Sequence, residues 1–229
     1  MAEKQQLPSD QPKRARNAAA TREAILRSAL AAFSRHGYDG IGVREIAQAA
    51  GVTAVLVNRY FGSKEELFAA VVETAFAGRA SLFEGDSSLL AQRLTADVMT
   101  KSEKDAEPIN PFFLVLRSAP NPRAAEILRD GIARHFERPL KALLRGPRAG
   151  ERAAVILAVV TGLSLFRRVL GNRALADANA ASLSGDLKTM FQRLIDGAAS
   201  RESAVRRSHA EKRNQKRSSV RVAGIAIDR

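Results

Sequence analysis

Apolar residues recur at intervals of three and four along most of this chain, the spacing that gathers them on one face of an α-helix. In "TREAILRSALAAFSRHG" (21–37), Ile25, Ala29, Ala32 and Phe33 share such a face, and Thr21 and Gly37 supply start and stop signals. His36 in its last turn suits the helix dipole. The pattern predicts a second, short helix over "VREIAQAAG", with Ile46, Ala47 and Ala50 inward and Gly51 ending it. Thr53 is placed to cap a third, Ala54 to about Tyr60. Ser63 is placed to cap a fourth, from Lys64 through Leu67, Phe68, Val71, Val72 and Phe76 to about residue 83.

Beyond residue 85 or so the segments lengthen and turn more apolar. Helices are expected over "SSLLAQRLTADVMTKS" and "PFFLVLRSA", with a polar break at 101–110 between them. "RAAEILRDGIARHFERPLKALLRG" reads as one long helix kinked at Pro139. "ERAAVILAVVTGLSLFRRVLG" and "SLSGDLKTMFQRLIDGA" read as the last two. No strand-like alternation is sustained and no internal repeat is present, so the fold is expected to be all-α.

Residues 42–61 have the spacing of a helix-turn-helix. Gly51 permits the left-handed turn, and Val52 would pack the two helices together. Leu56 and Val57 should look inward, leaving Ala54, Val55, Asn58 and Arg59 outward. Asn can bond an adenine edge in two places and Arg a guanine edge, so this face has the chemistry to read DNA. Tyr60 and Lys64 fall where a phosphate would lie. On spacing alone, a plain helical bundle with ordinary surface Asn and Arg fits as well.

Charge narrows the choice of partner. The net charge is +13 and the pI about 10.9, favouring an anionic partner such as nucleic acid or a membrane surface, although excess charge can also serve solubility alone. Residues 201–229 hold nine basic and three acidic groups and read as a disordered basic tail; residues 1–16 read as a disordered basic arm. There is no cysteine, which excludes disulfides and thiolate chemistry. The N-terminus lacks an apolar signal segment, and the run Ala153–Phe166 falls short of the roughly 20 residues of a membrane span. A soluble, cytoplasmic protein with no membrane contact is expected.

Residues 20–68 closely resemble the N-terminal domain of the tetracycline-repressor (TetR) family. "AAFSRHGYDG", "VREIAQAAGV" and "YFGSKEELF" carry the resemblance, in order and at the family's spacing. It implies a three-helix DNA-binding headpiece over 17–64, a helical effector and dimerisation domain over 65–200, and a transcriptional regulator, a repressor by analogy. It also implies that Thr53 caps the recognition helix and touches phosphate. Ala54, Val55, Asn58 and Arg59 match base-facing positions, Tyr60 an aromatic at the backbone, and Lys64 the lysine opening the next helix. Val43 and Arg44, opening the first motif helix, complete the expected DNA-contacting set. Two departures stand out: Gly42 replaces the usual Thr or Ser cap, and Asn58 replaces a common Tyr.

Other sites are weaker. His36, His135 and His209 have no metal-ligand partner at helical spacing and no Gly-rich phosphate loop follows a strand, so neither an enzyme nor a cofactor or metal is expected. A homodimer is expected through Ala158, Gly162 and Leu165 of one helix and Leu187, Met190, Phe191 and Leu194 of the other. Leu89, Met99, Phe112, Phe113, Leu116, Ile127 and Phe136, with Arg117 and His135 as polar groups, are candidates to line a pocket for a largely apolar small molecule. Plain core is the competing reading of that cluster. An alternative function is a sequence-tolerant architectural binder that grips nucleic acid through its basic tail.

Overall fold

The computed structural model describes residues 11–99, 111–176 and 178–197. The expected polar break and basic tail, His209 included, lie outside them, as do residues 1–10 of the basic arm. Among the described residues every regular element is helical. In chain order these are α1 (Gln11–His36), α2 (Val43–Ala49), α3 (Ala54–Phe61), α4 (Lys64–Ala77), α5 (Leu90–Met99) and α6 (Pro111–Ser118). They continue with α7 (Pro122–Ile132), α8 (Arg138–Leu143), α9 (Ala149–Ser164), α10 (Arg173–Ala176) and α11 (Ala180–Asp196).

α1 begins ten residues earlier than Thr21 suggested. "QPKRARNAAA" is made largely of good helix formers, and Pro12 sits in the first turn, where its missing N–H is harmless. Thr21 is therefore mid-helix, its hydroxyl donating to the Asn17 carbonyl at 2.8 Å. The expected long helix with a kink at Pro139 is two helices joined by a π-helical turn, Ala133–Glu137. Pro139 supplies no N–H and crowds the carbonyl four residues back, so the regular ladder gives way just before it. A second π turn, Leu165–Val169, follows α9.

The described residues form two compact units. In the first, residues 11–81 and 111–136, α1 packs on α4 and α6, and α7 packs on α4. Ile25, Phe33, Ile46, Val57, Leu67, Phe68, Val72, Phe76, Leu114 and Leu128 fill its core. Phe68 meets Phe33 and Tyr38 edge-to-face at 5.1 and 5.0 Å. α7 approaches α4 closely at Gly131, where a Cβ would lie 2.6 Å from Val72.

In the second unit, residues 82–99 and 137–197, α11 lies along α5 and α8 and α9 complete the packing. Arg152 on α9 donates to the Leu194 and Ile195 carbonyls at 2.7 and 2.8 Å, and to the Arg145 carbonyl, closing off the end of α11. Arg167 does the same for α5 through the Val98 carbonyl at 2.6 Å.

Candidate nucleic-acid interface

The geometry of residues 42–64 begins with how α2 stops. The Val52 N–H donates to the Ala47 carbonyl at 2.9 Å and the Gly51 N–H to Gln48 at 3.0 Å, the paired bonds of a Schellman motif. Gly51 takes the left-handed conformation, φ +69°, that this motif needs. The chain then re-enters a helix at Thr53, whose Oγ1 accepts from the Leu56 N–H at 3.4 Å. α3 closes at Gly62, φ +80°, and Ser63 caps α4 by accepting from Glu66 N–H at 3.1 Å.

Val57 and Phe61 anchor α3 on the core, and Ala54 and Tyr60 pack partly against it. Residues one turn apart thus hold the helix down and leave Val55, Asn58 and Arg59 exposed on the opposite face. No acidic side chain among the described residues forms an ion pair with Arg59. Two expectations need correction. Ala54 is turned partly to the core, and Leu56 is only partly buried, because the anchoring stripe runs through 54, 57 and 61.

α2 presents Arg44 to solvent, while Val43 packs partly on the core and so positions α2. Gly42 has no side chain to cap α2; its own N–H donates to Glu45 Oε2 at 2.8 Å, which replaces part of what Thr or Ser would supply. Lys64 opens α4 with its ammonium 4.6 Å from the centre of the Tyr38 ring. Burial, then the nearby Glu65 and Asp39 carboxylates, push the Tyr38 phenol up, so it stays neutral beneath that charge. Arg22 on α1 lies 4.9 Å over the Phe61 ring, adding a cation beside the end of α3 that the motif alone did not reveal.

The pocket candidates fall in both compact units. Leu89 and Met99 belong to the second unit, where Leu89 is half-exposed and Met99 Sδ lies 3.5 Å from Arg167 Nη1. In the first unit Leu116 faces outward, and Arg117 is committed to α1 through the Ser34 carbonyl at 2.5 Å. Phe112 and Phe113 meet at 5.6 Å, Ile127 packs partly on the core, and Phe136 meets Phe76 at 5.1 Å. His135 Nε2 lies 2.9 Å from Glu73 Oε1, a partner that sequence spacing could not connect to it. Arg134 binds the other oxygen of Glu73 at 2.6 Å.

Of the dimer candidates, Leu187 and Phe191 are buried within their own chain because α11 packs on α5. Met190, Leu194, Gly162 and Leu165 remain partly exposed and Ala158 exposed. Val155, Phe166, Val169 and Leu170 are exposed on the same stretch. The stretch Ala149–Arg167 is long and apolar enough, by length and composition, to cross a membrane, with 17% of it buried. That is longer than the run read from sequence, since the helix continues through its π turn.

Comparison with known proteins agrees with this geometry. Residues 25–71 match the model of bacterial regulatory proteins of the tetR family, and residues 89–195 match the model of tetracyclin repressor-like C-terminal domains. The transcriptional regulatory protein RaaS of Mycobacterium tuberculosis is 56% identical over 43 residues, 19% of this chain and 20% of that protein. The transcriptional repressor NicS of Pseudomonas putida is 39% identical over 64 residues, 28% of this chain and 30% of that protein. The chain thus spans a third or less of the length of these relatives. The multidrug binding protein EbrR, solved with ethidium, superposes with a TM-score of 0.54 at 20% identity, covering 77% of this chain and 99% of that one.

Proposed function

The chain belongs to the tetracycline-repressor (TetR) family of bacterial regulatory proteins, and from that premise we propose that it represses transcription as an operator-bound homodimer. Members of this family regulate transcription and are not enzymes. They are soluble and typically cytoplasmic, which supports a cytoplasmic location for this chain. The observation that carries the reading is the outward face of α3, where exposed Asn58 and Arg59 stand together on a rigidly anchored helix. Two helix ends, at Thr53 and Ser63, and the cations Arg22, Arg44 and Lys64 surround that face with groups suited to phosphates.

Residues 17–64 act as the headpiece and 65–200 as the effector and dimerisation domain. The exposed apolar stretch of α9 and its π turn supports dimerisation, because a lone chain leaves that surface in water. Two-fold symmetry then makes the operator nearly palindromic. Ethidium in EbrR supports a small-molecule effector, here largely apolar. α4 shares one core with α3 and with α7, so a ligand that repacks α7 shifts α4 and carries α3 with it. Selection of bound DNA from a random pool tests the reading: it should return one motif with inverted half-sites. A pool that stays random after repeated rounds would refute it.

A further inference from the structure

Val55 is the most exposed large apolar side chain among the described residues, at 78%. It is the second residue of α3, beside the Thr53 cap, and lies three and four positions before Asn58 and Arg59, hence on the same face. Nothing in its own fold requires an apolar group there, and a polar residue would sit in water at lower cost. Valine has few side-chain rotamers in a helix, so fixing it against a partner loses little entropy. Its position favours a partner within the same footprint as Asn58 and Arg59. In the major groove the one apolar feature on a base edge is the 5-methyl group of thymine. The N-terminal residues of a recognition helix are also those that come nearest the bases.

We propose that Val55 reads thymine: its isopropyl group packs on the 5-methyl of one base in each half-site, so that binding depends on that methyl. The proposal rests on the reading of α3 as a recognition helix. It adds to that reading a non-polar selection, set between the polar selections of Asn58 and Arg59. Any base carrying a methyl at the same place, such as 5-methylcytosine, would offer Val55 the same contact, so cytosine methylation of the operator would change affinity.

The test uses the full chain and the duplex recovered by random-pool selection. Each thymine is replaced in turn by deoxyuridine, which removes the methyl alone, in both half-sites at once. Wild type should lose affinity at one symmetric position by about fourfold per half-site, roughly fifteenfold in all, the value of one buried methyl-sized group. Val55→Ala should bind the thymine and deoxyuridine duplexes alike, at the level wild type shows on deoxyuridine. Val55→Thr, which keeps one methyl, should retain part of the discrimination. Because Val55 is exposed, both variants should keep the wild-type thermal transition by circular dichroism. Insensitivity of wild type to deoxyuridine everywhere, or equal discrimination by wild type and Val55→Ala, would overturn the proposal while leaving α3 as the DNA reader. Equal affinity of wild type for selected and random duplexes would overturn both.

Discussion

Arg117 on α6 donates through Nη1 to the main-chain carbonyl of Ser34, in the last turn of α1, at 2.5 Å. The contact is tight on its other side as well: a Cβ on Gly37, φ +72°, would collide with the Arg117 carbonyl oxygen. Asn121, capping α7, donates to Asp39 Oδ1 at 2.8 Å just past α1. α6 and the start of α7 therefore hold the segment that leads into α2. Arg117→Ala frees a helix-end carbonyl and should cost about 1–3 kcal/mol of stability, read by urea denaturation. Gly37→Ala should be at least as damaging, since it meets backbone on one side and a strained φ on the other. Wild-type midpoints for both would remove this clasp from the account.

Arg59→Ala should cost about 1–3 kcal/mol of operator affinity and relax preference at one position, measured by competition with single-base variants. Lys64→Ala should instead weaken all duplexes alike and flatten the salt slope by about one unit. Arg22→Ala should behave like Lys64→Ala, because its guanidinium sits over Phe61 at the edge of the face.

Light scattering at micromolar concentration should give twice the 24.8 kDa chain mass. Phe166→Glu with Leu170→Glu places charges on exposed apolar positions and should give monomers whose circular dichroism is unchanged. A wild-type mass of one chain would contradict the dimer.

Tyr38 ties stability to alkaline pH. Its folded pKa lies above the ordinary phenol value, so folding favours the neutral form. That contribution is complete below the unfolded pKa of about 10 and is lost as pH rises through the folded value. Tyr38→Phe should flatten the alkaline limb of stability against pH.

An effector must obey reciprocity: the factor by which it weakens operator binding must equal the factor by which operator weakens its own binding. Coupling of about 1–3 kcal/mol is expected, measured by calorimetry with and without duplex. A tight ligand that leaves operator affinity unchanged is not an inducer.

The helices and the headpiece were legible because local signals agree there: the stripe of Ile25, Ala29 and Phe33, the glycine at 51, and the caps at Thr53 and Ser63. What escaped depends on distant pairing. Leu187 and Phe191 have the same periodicity whether they face α5 or a second chain, so pattern alone assigned them to the dimer. Glu73 meets His135 across two helices, a contact that no spacing encodes. The start of α1 was missed because Thr21 carries a cap's chemistry, although good helix formers run on before it. Leu89 and Leu116 show the remaining limit, since hydrophobicity marks a residue as buriable and does not say that it is buried.

The central claim is that α3 reads sequence, as opposed to a charged surface that holds any nucleic acid. The most direct measurement is the affinity ratio between the selected operator and a scrambled duplex of equal length, followed across salt. The account predicts a ratio of about a thousandfold or more at physiological salt, falling sharply for Arg59→Ala. A ratio near one at every salt concentration, with wild type and Arg59→Ala indistinguishable, would contradict it.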